Sequence, residues 1–123
     1  MPLVLVVDDM PDMRDLYTFY LRYAGMEAES AADGLEAIVK TRALKPDVVV
    51  MDLMMPGITG AEAIRRLKEE HVTRAIPVIA LTASHEPEMK RDAVEAGCDL
   101  FLTKPCPPER LTAEIRRLLP PAA

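Results

Sequence analysis

Five short apolar runs separate longer stretches of helical periodicity, and that alternation constrains this chain more than any other feature. The runs are Leu3–Val7, a weaker one at Glu27–Ala31, Val48–Met51, Val78–Leu81 and Leu100–Leu102. Three are continuous rather than alternating, as expected of strands buried on both faces of a parallel sheet. Between them, Met13, Leu16, Tyr17, Tyr20, Leu21 and Ala24 recur at helical spacing. Leu35, Ile38 and Val39 do the same, then Ala61, Ile64 and Leu67, and finally Leu111, Ile115, Leu118 and Leu119. Gly25, Gly34, Gly57, Gly60 and Gly97 fall at element ends or in turns. Pro11, Pro87 and Pro107–Pro108 fall near helix starts, and Asp33 is placed to cap the second helix. The pattern predicts a single α/β domain of (βα)₅ type: one doubly wound, five-stranded parallel sheet with right-handed crossovers and helices on both faces. Residues 1–119 make that domain, and 120–123 read as a short tail or linker stub.

A chain of 123 residues suits one compact unit. Its net charge of −5 argues against a direct nucleic-acid surface, which needs clustered Lys and Arg to replace phosphate counterions. Cys98 and Cys106 form no Cys-x-x-Cys pair and have only His71 and His85 for company, so a thiolate–imidazole metal cluster is not expected. They read as free thiols of a reducing compartment. Leu3–Val7 is too short for a signal-peptide core or a membrane span, which points to the cytoplasm.

In an open α/β sheet, ligands bind beyond the carboxyl ends of the strands, where strand order reverses. The residues at those ends are Asp8 and Asp9 after the first strand, Asp52 after the third, Thr82 after the fourth and Lys104 after the fifth. A nucleotide or flavin phosphate would need a Gly- or Ser/Thr-rich first loop offering backbone N–H groups. Asp8-Asp9-Met10-Pro11-Asp12 has no Gly, and its carboxylates repel phosphate. Three clustered carboxylates also repel one another unless a cation sits among them. A hard dication such as Mg²⁺ removes the conflict. Asp52 can then accept a phosphoryl group, with the metal and Lys104 offsetting the added charge.

These residues resemble response-regulator receiver domains over nearly the whole chain. The matching segments are Leu5-Val6-Val7-Asp8-Asp9, the run Asp47 to Gly57, Leu81-Thr82-Ala83 and Phe101-Leu102-Thr103-Lys104-Pro105. The resemblance implies a flavodoxin-like fold with strand order 2-1-3-4-5. It implies a phosphorylation-dependent signalling switch in a two-component system. Asp52 would take a phosphoryl group from a phosphohistidine on a sensor histidine kinase or phosphotransfer protein. Asp9, Asp52 and the Met54 carbonyl would hold Mg²⁺, with Asp8 acting largely through water. Lys104 and Thr82 would bind phosphoryl oxygens, and Phe101 would turn inward as Thr82 moves. That motion would reshape the face of helix 4, strand 5 and helix 5, which meets an output protein or an appended domain. Pro105 would follow a cis peptide bond. The chain would support its own phosphoryl transfer and slow self-dephosphorylation without being a turnover enzyme. It departs from the family at Cys106, where Phe is common, and at Cys98, where Ala is common.

Three rivals differ by residue. A haloacid-dehalogenase-type phosphatase shares the aspartyl nucleophile and Mg²⁺, but needs an acid two residues later, where Met54 stands. A flavodoxin-like cofactor binder is disfavoured by the acidic first loop. A degenerate receiver serving only as a docking module would not need the intact set Asp8, Asp9, Asp52, Thr82 and Lys104.

Overall fold

The computed structural model describes residues 1–120. Strands and helices alternate along the chain: β1 (Leu3–Val7), α1 (Pro11–Tyr23), β2 (Glu27–Ala31), α2 (Gly34–Leu44), β3 (Val48–Asp52), α3 (Gly60–Glu69), β4 (Val78–Thr82), α4 (Pro87–Ala96), β5 (Leu100–Thr103) and α5 (Pro108–Leu118). The strands form one parallel sheet in the order β2-β1-β3-β4-β5. All five apolar runs are strands, three of them one residue longer than the apolar run itself. Of the 120–123 tail, Pro120 alone lies within the described residues.

Burial follows position in the sheet. Every residue of the central strands β3 and β4 is buried, because helices cover both faces. β2 is an edge strand with a mixed pattern: Ala28 and Ala31 point inward while Glu27 and Glu29 are exposed. Its weak apolar signal in the sequence is the signature of that edge. One core layer joins Leu5, Val49 and Met51 to Ile38, Ile64, Leu67 and Ala93 of α2, α3 and α4. The other joins Val4, Val6, Val50 and Ile79 to Tyr17 and Leu21 of α1 and to Leu111 and Ile115 of α5. Truncating any of the large members to Ala would cost about 2–5 kcal/mol.

Helix boundaries follow local chemistry. Pro11, Pro87 and Pro108 each open a helix, where the missing N–H has no partner to lose. Asp33 caps α2 by accepting the Glu36 N–H at 2.8 Å, and Thr59 caps α3 the same way from Glu62 at 3.0 Å. α4 ends at Gly97, whose φ of 107° is a left-handed cap.

Three apolar positions counted toward helical core stripes face outward. Leu16 is 47% exposed, Leu35 55% and Val39 61%. In α2 the buried face consists of Gly34, Ala37, Ile38 and Thr41. At Gly34 this face meets Ile58 and Ala63, the latter at 3.3 Å from where a Cβ would stand, and Leu35 and Val39 lie outside it.

Candidate functional site

The strand order reverses between β1 and β3, and their carboxyl ends carry Asp8 and Asp52. In the register, Val7 pairs with Met51 and Asp52 with Leu81, while Thr82 pairs with Thr103 just before Lys104. The sheet alone therefore places all the expected residues along one edge.

Local turns then aim the side chains. The carboxylate of Asp8 accepts the Met10 N–H at 2.9 Å, that of Asp52 accepts the Met54 N–H at 3.0 Å, and the Thr82 hydroxyl accepts the Ser84 N–H at 3.1 Å. Each is a side chain folded onto the backbone two residues on, a geometry that Asp and Thr adopt where a strand ends. Asp8, Asp52 and Thr82 are buried, and Asp9 is more open to solvent.

Carboxylate oxygens of Asp8, Asp9 and Asp52 lie within 4.8 Å of one another. Lys104 Nζ stands 3.1 Å from Asp8 Oδ2 and 3.4 Å from Asp52 Oδ2. Burial pushes the Asp52 carboxyl above its usual range; the Met54 N–H and Lys104 oppose that, and Asp8 adds to it. For Lys104, burial favours the neutral amine, yet Asp52 and Asp8 outweigh it and hold the ammonium above its ordinary value. Three acids thus face one ammonium, a deficit of positive charge that a hard dication fits. The donor set is all oxygen, as Mg²⁺ requires.

The remaining expected residues are also placed. The Lys104–Pro105 peptide is cis, and the Lys104 N–H donates to the Thr82 carbonyl at 2.7 Å. Met54 is 54% exposed at the rim. Phe101 is half-buried, with Lys90 Nζ 5.9 Å from its ring centroid. It lines a cavity of about 460 Å³ with Pro87, Lys90 and Arg110, between α4, β5 and α5. Asp8, Asp9, Asp52 and Lys104 do not line it.

Three residues that hold the site escaped sequence reasoning. Arg14 donates to the Asp8 carbonyl at 2.6 Å, and the Tyr17 hydroxyl donates to the Cys106 carbonyl at 2.9 Å. A Cβ on Gly60 would meet the Asp52 carbonyl oxygen at 2.4 Å and Leu53 Cα at 2.6 Å. A glycine at an element boundary was visible as punctuation; its close approach to Asp52 was not. Among the described residues, no helix is long and apolar enough to cross a membrane.

Comparison with known proteins converges on one family. The family model described as "Response regulator receiver domain" matches residues 4–116. The chain is 36% identical over 119 residues to the DNA-binding dual master transcriptional regulator RpaA of Synechocystis, covering 97% of this chain and 49% of that protein. It is 37% identical over 116 residues to the phosphate regulon transcriptional regulatory protein PhoB of Pseudomonas aeruginosa, covering 94% and 51%. The chain therefore spans about half the length of these curated relatives. Among solved structures, the chemotaxis protein CheY4 of Vibrio cholerae superposes with a TM-score of 0.90 at 35% identity, covering 97% of this chain and 99% of that one. The receiver domain of a signal transduction histidine kinase from Syntrophus aciditrophicus gives a TM-score of 0.90 at 33% identity, covering 97% and 90%.

Proposed function

Because the chain belongs to the response regulator receiver domain family, we propose that it is a phosphorylation-dependent switch whose phosphoacceptor is Asp52. The observation that carries this reading is the cluster itself: Asp8, Asp9 and Asp52 within 4.8 Å of one another, Asp8 and Asp52 buried, faced by Lys104. The donor would be a phosphohistidine on a sensor histidine kinase or phosphotransfer protein. An Asp52 oxygen attacks phosphorus, the N–P bond breaks as the O–P bond forms, and the electron pair leaves with the imidazole. Mg²⁺ held by Asp9, Asp52 and the Met54 carbonyl, with Asp8 acting largely through water, would supply charge neutralisation for the carboxylates and the phosphoryl oxygens.

The chain's own residues do the rest. The Met54 N–H fixes one oxygen of Asp52. Lys104 is shared between Asp8 and Asp52, and it turns to a phosphoryl oxygen when one arrives. Thr82 exchanges its bond from Ser84 for a second phosphoryl oxygen, and its displacement leaves room for Phe101 to turn inward. The cavity beside Phe101 changes shape with it, so the face of α4, β5 and α5 differs between the two states. A partner that prefers one shape shifts the equilibrium by its differential affinity.

Output then passes through a protein surface to a separate partner or an appended domain, in the cytoplasm. Residues 1–119 form the signalling unit. It works as a switch with slow self-dephosphorylation rather than as a turnover enzyme.

Amide NMR with and without a non-hydrolysable phosphoryl mimic at Asp52 tests the switch. Shifts should extend through residues 84–110. Shifts confined to residues beside the carboxylates would contradict a switch acting through this face.

A further inference from the structure

One turn of α1 grips both halves of the site. Arg14 and Tyr17 are three residues apart, so they share a helix face. Arg14 donates to the Asp8 carbonyl at 2.6 Å on the acid side. Tyr17 donates to the Cys106 carbonyl at 2.9 Å on the other side, two residues beyond Lys104 and across 89 residues of sequence.

Tyr17 is unusual for a helix core position. It is 2% exposed and carries a polar tip into the layer formed by Val6, Leu81, Cys106 and Leu111. A buried hydroxyl needs a partner, and the Cys106 carbonyl is the one it has. Burial, followed by Cys106, Asp8 and Asp52, pushes its phenol up to about 12, so it stays a donor at any physiological pH. The loop it holds is short: Lys104, Pro105, Cys106 and Pro107 run from β5 into α5. Along that loop, the Lys104 N–H is tied to the Thr82 carbonyl at 2.7 Å and the Cys106 carbonyl to Tyr17, so the ammonium hangs from a backbone fixed on both sides.

We propose that Tyr17 is a positioning residue for phosphoryl transfer: its hydroxyl anchors the β5–α5 loop to α1 and thereby sets Lys104 relative to Asp8 and Asp52. This rests on the assignment of Asp52 as phosphoacceptor. α1 acts as a rigid spacer, with Arg14 fixing the acid and Tyr17 fixing the ammonium. Loss of the hydroxyl frees the Cys106 carbonyl and lets the Lys104 backbone wander, while the carboxylates keep their places.

The test is a double-mutant cycle on the rate of Asp52 labelling by a small acyl phosphate at saturating Mg²⁺, followed by intact mass, together with the Mg²⁺ dissociation constant of each protein. The variants are Tyr17→Phe, Lys104→Ala and the pair. Tyr17→Phe keeps the ring and the fold. It should slow labelling about three- to tenfold, the range of one lost hydrogen bond, with Mg²⁺ affinity unchanged. In the Lys104→Ala background it should slow labelling no further, because its effect runs through Lys104. A Tyr17→Phe rate equal to wild type would overturn the proposal. So would equal slowing in both backgrounds, which is what a merely structural role gives. A wild type that takes no label at all would overturn the phosphoacceptor assignment itself.

Discussion

The ammonium of Lys104 lies 3.1 Å from the carboxylate of Asp8, and this contact makes Lys104 the internal counter-charge of the site. Its side chain is 16% exposed and that of Asp8 only 2%, so the pair is poorly screened by solvent. Removing one partner of such a pair strands the other.

Lys104→Ala should therefore destabilise the metal-free protein by about 3 kcal/mol, the low end for breaking a buried pair. Saturating Mg²⁺ should restore most of that loss, since a dication among Asp8, Asp9 and Asp52 supplies the missing charge. By linkage the same free energy must appear as tighter Mg²⁺ binding by the variant, because a ligand restores stability only through its affinity for the folded state. Thermal melts with and without Mg²⁺ provide the check. An identical loss in both conditions would mean that Lys104 acts by packing alone.

Gly60→Ala should damage the site from behind. Its Cβ would press against the backbone of Asp52 and Leu53 at 2.4–2.6 Å, and backbone cannot move aside as a flexible side chain can. The expected cost is about 1–3 kcal/mol, with slower labelling of Asp52. A circular-dichroism melt and a labelling time course measure the two effects. A variant as stable and reactive as wild type would show that α3 can shift without disturbing Asp52.

Most of the fold was legible in the sequence, and so was the gathering of Asp8, Asp9, Asp52 and Lys104 at one end of the sheet, for a shared reason. Buried parallel strands must be apolar runs, and ligand chemistry must stand at their ends, so Val48–Asp52 announces both a strand and an acid. Helix phase was less legible. Leu35 and Val39 have core chemistry but flank a face of Gly34, Ala37 and Thr41, and small residues leave little trace in an apolar periodicity. Long-range polar contacts were not legible at all. Tyr17 reads as one more apolar helix position, and nothing local reveals that its hydroxyl meets the Cys106 carbonyl.

The lifetime of the phosphorylated form should depend on Met54 and Ser84. Met54 is 54% exposed at the rim of the site, and its side chain can neither orient nor deprotonate water. Ser84 is occupied locally: its N–H bonds Thr82, and its hydroxyl accepts from the Glu86 N–H at 3.1 Å. Self-dephosphorylation should be slow, and Met54→Glu or Met54→Asn should speed it by about tenfold or more. Decay of the phosphorylated mass after donor removal measures this; equal rates in wild type and variants would contradict it.

Stability in alkali should report on Tyr17. Its phenol is raised from 10.0 to about 12 in the folded protein. A group whose folded value is raised contributes stability that is complete below the unfolded value and disappears as pH climbs through the folded one. Wild type should thus lose on the order of 2 kcal/mol from this group between about pH 10 and pH 12. Tyr17→Phe, less stable at pH 8 for want of the hydrogen bond, should show a shallower decline across that window. Urea unfolding at a series of pH values tests it, and parallel declines would show that the Tyr17 hydroxyl titrates normally.

The switch proposed for this chain depends on Asp52 taking the phosphoryl group beside a bound metal. The decisive experiment is intact-mass measurement after incubation with a small acyl phosphate and Mg²⁺. One phosphoryl adduct should form on the wild type, be lost in Asp52→Asn and be strongly reduced when Mg²⁺ is chelated. An adduct that persists in Asp52→Asn, or a wild type that never acquires one, would contradict it.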